Sequence, residues 1–158
     1  SSTLNSSTSS SVDFNNIPQT YSHLQIRGTA RSTGNTAEWI VVTLNKTNSS
    51  YRHTLFGNGT SAGSTSAAES KSIVGVVQSG ASANMYGAFI IDVLDYTSSN
   101  KNKTIRGFGG KDMNGYATSY ITVGSSLYNS TTAVSSLTIA PDADSFAQYS
   151  LFALYGIR

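Results

Sequence analysis

Two histidines and eight acidic side chains are what this 158-residue chain offers for acid–base work near neutrality, and it has no cysteine. His23 opens a stretch in which Leu24, Ile26, Gly28 and Ala30 alternate with Gln25, Arg27, Thr29 and Arg31. That places His23 on the polar face of a strand, where cross-strand hydrogen bonding is a simpler role than catalysis. His53, beside Tyr51 and Arg52 at the start of another strand, has the same simple reading. Asp142-Ala-Asp144 sets two carboxylates on one side of a short extended segment, which calcium uses only where backbone carbonyls complete the shell. A solvent-facing turn is the plainer expectation. Asp92 and Asp95 fall on opposite faces of one strand, so they cannot act as a pair, and Arg106 or Lys103 on a neighbouring strand is expected to neutralise them. Serine is abundant, but no Gly-x-Ser-x-Gly elbow exposes one as a nucleophile. Gly107-Phe-Gly-Gly110 lacks the lysine and the following helix of a phosphate loop. The chain reads as a non-enzyme with no catalytic residue, no metal and no cofactor.

Carbohydrate recognition is the one binding chemistry that the residue types support. Tyr51, Tyr116, Tyr120 and Tyr128 are candidate glycan contacts, with Trp39 and loop asparagines in reserve. Aromatic residues are equally at home on strands and in subunit contacts. Charged residues make up 11% of the chain, against the usual quarter, and the net charge is +2. Such a charge is too small to draw nucleic acid. Lys101, Lys103, Arg106 and Lys111 are close in sequence, but Asp92, Asp95 and Asp112 flank them, and a solvated strand face is the expected result. No apolar run reaches the length of a membrane helix, and the start lacks the basic and apolar regions of a signal peptide. Membrane insertion is not expected. A weakly charged surface rich in Ser, Thr, Asn and Gly suits packing against neighbours in an assembly. Asn-x-Ser/Thr triplets at Asn5, Asn45, Asn48, Asn58, Asn102 and Asn129 signify glycans only on a eukaryotic secretory route.

The elements that must carry these residues are strands. Residues 1–14 are a Ser/Thr/Asn-rich leader or linker that cannot repay its own ordering. Residues 15–158 read as one domain of roughly nine strands, separated by turns such as Ser32–Thr36, Gly57-Asn-Gly59, Gly109-Gly110 and Asn114-Gly115, with 60–70 as a long loop. The central strand lies within Met85–Tyr96, where Phe89, Ile91 and Val93 point one way and Ala88, Ile90 and Leu94 the other. Both faces ask for burial. The expected core is Leu24, Ile26, Val41, Ile73, Phe89, Ile91, Ile105, Ile121, Leu137, Leu151 and Tyr155. The expected fold is all-β, an antiparallel β-sandwich that is jelly-roll-like.

Three strings carry a resemblance. They are Ile17-Pro-Gln-Thr-Tyr-Ser-His-Leu-Gln-Ile-Arg27, then Gly87-Ala-Phe-Ile-Ile-Asp-Val-Leu-Asp-Tyr96 with Asn100-Lys-Asn-Lys-Thr-Ile-Arg106, and last Phe146-Ala-Gln-Tyr-Ser-Leu-Phe-Ala-Leu-Tyr-Gly-Ile157. Together they resemble a recurrent structural domain of tailed-bacteriophage virion proteins over about residues 15–158. The resemblance implies a virion component in a tail fibre, spike or capsid-associated appendage, displayed on the phage particle surface or tail. Its implied partners are copies of itself, as a homotrimer in a fibre, and other virion proteins. Bacterial surface polysaccharide is the alternative partner, met through the loops in host attachment.

Overall fold

The computed structural model describes residues 2–4, 7–35, 38–47, 51–57, 61–67, 74–76, 80–112 and 119–158, with backbone alone at 2, 51–53, 65–67, 75 and 76. Every named element among them is a strand: β1 (Ser2–Thr3), β2 (Val12–Phe14), β3 (His23–Ala30), β4 (Glu38–Leu44), β5 (Tyr51–Gly57), β6 (Ala62–Ala67), β7 (Val74–Val76), β8 (Gly87–Val93), β9 (Lys103–Lys111), β10 (Tyr120–Tyr128), β11 (Leu137–Pro141) and β12 (Leu151–Ile157). They form an eight-stranded sheet, β1-β12-β3-β8-β9-β10-β5-β6, and a four-stranded sheet, β2-β11-β4-β7. All pairings are antiparallel. The chain is thus the all-β antiparallel sandwich its alternation predicts. It crosses between sheets at β3–β4–β5 and β10–β11–β12, as a jelly roll does, while β8–β9–β10 is a plain meander.

The core fills the space between the sheets. Leu24, Ile26, Phe89, Ile91, Val93, Ile105 and Phe152 from the large sheet meet Ile40, Val42, Leu44, Val74, Leu137 and Ile139 from the small one, all buried. Phe152 anchors one end, with ring centroids 4.6 Å from Phe146 and 6.1 Å from Phe89. Gly109 lets the sheets close at the other end, since an added Cβ would stand 3.0 Å from that of Val74. A side chain there would push β7 away.

Several expectations change. Ile121, Leu151 and Tyr155, expected in the core, are 57%, 42% and 45% exposed. Val41 is half-buried and its neighbour Val42 takes the core position. Gly109-Gly110 is not a turn but the continuation of β9, whose ladder to β10 runs through both residues. The middle of 60–70 is strand β6, paired with β5. Within the stretch 1–14, β1 pairs with β12, and β2 pairs with β11 and buries Val12. Ile73 and the turns at Asn58-Gly59 and Asn114-Gly115 lie outside the described residues, as do the triplets beginning at Asn5, Asn48 and Asn58.

Candidate functional site

The outward face of the large sheet is the unusual surface of this molecule. Register alone builds it. Ile90 lies opposite Phe108, Phe108 opposite Val123, and Val123 opposite Leu55, one row across β8, β9, β10 and β5. These four are 41%, 56%, 50% and 61% exposed. The next row runs Ala88, Gly110, Ile121, Gly57. Such a contiguous apolar patch, on the order of 500 Å2, is at the upper end of what a monomeric surface carries. On its other side the row Gln25, Asp92, Arg106, Ser125 is polar. There Asp92 accepts hydrogen bonds from Gln25 Nε2 and Arg106 Nε, each at 2.8 Å. The face is therefore apolar in the middle, with a self-satisfied polar border.

Its relief is uneven. Ala88, Ile90, Phe108, Gly110 and Ile121 ring a hollow of about 400 Å3. A Cβ added at Gly110 would meet no atom of the described residues within 4 Å. Beside this hollow a second cleft, of about 550 Å3, is lined by Tyr86, Lys111, Asp112, Ser119 and Tyr120 together with the Ala88–Ile121 edge. Burial pushes the Lys111 amine down to about 8. Its Nζ lies 4.2 Å from the Tyr120 ring centroid.

Of the four candidate glycan contacts, Tyr120 alone is placed in this cleft. Its ring is already packed, 6.0 Å from Trp39 and 5.9 Å from Phe56. Burial, with the Asp142 charge, raises its hydroxyl pKa. Tyr128 is 3% exposed and belongs to the core, so it cannot stack on a sugar. The alternation of β10 explains why: Tyr128 shares the inward face with Thr122, Gly124 and Ser126. Tyr51 sits opposite Leu127, and neither its side chain nor that of His53 is described. Tyr116 lies outside the described residues. The four tyrosines do not make one described platform.

The remaining polar candidates are structural. His23 Nδ1 accepts the Asp95 N–H at 2.9 Å. The Lys101 amine, 2.9 Å from Asp95, holds that carboxyl below its ordinary value. Of the two cations expected to neutralise the strand aspartates, Arg106 does so for Asp92. Lys103 instead points inward and donates to the carbonyls of Ser98, Lys101 and Ser130. Asp142 Oδ1 accepts the Trp39 N–H at 3.0 Å, and Asp144 has a φ of 54°, both in a turn. Among the described residues no three acidic or imidazole side chains converge as a metal cage.

Glu38 is the residue that sequence reasoning missed. It is 1% exposed, and among the described residues neither carboxylate oxygen has a hydrogen-bond partner. Its Oε1 and the Asp144 Oδ2 both stand within 2.5 Å of one point above the Gly34 Cα. Burial raises the Glu38 pKa; Ser32 beside it lowers it in part, and the facing carboxyls of Asp144 and Asp142 raise it further. The signal was present as a charged residue on the inward phase of β4, in line with Ile40, Val42 and Leu44.

Fold and surface together define a class, an antiparallel β-sandwich with one open apolar sheet face. Comparison with protein-family models, with curated proteins and with solved structures returned no match.

Proposed function

We propose that the chain is a structural component of a phage virion, part of a tail fibre, spike or capsid-associated appendage, held in place through the outward face of its large sheet. The observation that carries the assembling role is the row Ile90–Phe108–Val123–Leu55. Four large apolar side chains in register on the middle strands of a sheet cost solubility unless something covers them. The resemblance of residues 15–158 to tailed-phage structural domains supplies the particle, and the sparse charge accords with a surface built to pack. Reconstruction of the assembly that carries this chain tests the reading. Protein density over Phe108 and Val123 is the expected result; that face bare to solvent would refute it.

The alternative, binding of bacterial surface polysaccharide, draws on the cleft at Tyr120, where Asp112, Ser119 and Tyr86 bring polar groups to an aromatic wall. It is the weaker reading, because the Tyr120 ring is engaged by Trp39, Phe56 and Lys111. Glycan-array binding that Tyr120→Ala abolishes, in a variant with unchanged melting, would bring it forward. An array that stays blank would remove it.

A further inference from the structure

The geometry points to a second copy of this chain as the occupant of the apolar face, with Phe108 of one copy seated in the hollow over Gly110 of the next. This rests on the assembling role proposed above and names its partner.

Three observations favour a copy over another occupant. The first is shape. Phe108 is the largest side chain standing out of the patch, 56% exposed, and the hollow beside it is lined by Ala88, Ile90 and Ile121. Gly110 supplies the floor, and the space above it is open. Knob and hole lie two residues apart on the same strand, so one surface presents both halves of a contact, which is what association of identical chains requires. The second is area. Two patches of about 500 Å2 pressed together bury about 1,000 Å2, the threshold of a specific interface, before any border residue is counted. The third is charge. Asp92 and Arg106 neutralise each other within one chain at 2.8 Å and so add no net charge to the border, where Arg27, opposite Ile90, donates to Gln25 and stacks over the Tyr155 ring. A lipid surface is less well matched, because it would place that ion pair at the headgroup boundary without using the hollow.

Gly110 makes the inference testable without disturbing the fold. A leucine at this position meets no atom of the described residues within 4 Å of its Cβ, yet fills the hollow that the partner's Phe108 needs. Sedimentation of the full chain over a range of concentrations should show a closed oligomer. Gly110→Leu and Phe108→Asp should each weaken self-association by at least about 30-fold, the scale of losing one central anchor. The strand signal in circular dichroism and the melting temperature should be retained in Gly110→Leu. Since the chain has no cysteine, a Phe108→Cys chain mixed with a Gly110→Cys chain should give a disulfide-linked dimer, whereas a Ser99→Cys control pair should not.

A chain that stays monomeric without cross-linking, or an oligomer that Gly110→Leu leaves intact, overturns the inference. The reconstruction then separates the two failures. A different protein over Phe108 rescues the assembling role while this inference falls; a bare face ends both.

Discussion

At the scale of single residues, two buried ionisable groups set opposite pH responses. Glu38 has a raised pKa, so the folded chain binds its proton more readily than the unfolded chain does. Its contribution to stability is therefore full below the ordinary carboxylate range and is lost as pH rises through the raised value. Glu38→Gln should remove that loss and flatten the dependence of melting temperature on pH above the ordinary carboxylate range. Lys111 behaves the other way. Its pKa falls to about 8 on burial, so the folded chain holds the charge less readily. The penalty is full below about 8 and disappears as pH climbs towards the ordinary lysine value, near 10.4. Denaturant midpoints should rise across that interval in the parent chain and stay level in Lys111→Met. The sequence placed neither group correctly. Glu38 drew no reading at all, and Lys111 was expected on a solvated strand face; burial of a charge depends on how far a strand continues. By contrast, Arg106 as the partner of Asp92 was legible, because cross-strand neighbours follow from antiparallel register.

Among elements, β8 and β12 show what periodicity can and cannot tell. Alternation correctly grouped Phe89, Ile91 and Val93 on one face, and Leu151 with Tyr155 on another. It could not say which of two apolar faces is inside. In β8 the second face, carrying Ile90, is the open surface; in β12 the inward position went to Phe152 instead of Leu151. A strand apolar on both sides was read as doubly buried, when its second side is exposed at Ile90. Phe152→Ala should cost about 3–5 kcal/mol by urea titration, the usual scale for a large buried aromatic, while Leu151→Ala should cost well under half of that. Gly28 marks the same end of the sheet. An added Cβ there would come within 2.6 Å of both the Phe89 ring and the Leu151 carbonyl. Gly28→Val should therefore lower the melting temperature far more than Thr29→Val, its exposed neighbour on β3.

For the molecule as a whole, composition pointed to strands and a packed surface, and the two-sheet sandwich follows. The site was less legible, because a face assembled from four strands exists only once their registers are known. The tyrosines were conspicuous in the sequence; the row from Ile90 to Leu55 was scattered over residues 55–123 and conspicuous nowhere. The first residues of the chain carry a last consequence. Ser2 and Thr3 pair with Phe152 and Leu151, Leu4 exchanges backbone hydrogen bonds with Tyr149 and Ser150, and Ser9 bridges Phe146. This stretch caps the β12 edge of the large sheet. Proteolytic trimming before Val12 would leave β12 as the terminal strand, its outer N–H and C=O groups ready to template an incoming strand. Trimmed chains should exchange strands or grow thioflavin-positive fibrils, and a synthetic peptide of residues 1–11 added in trans should suppress both.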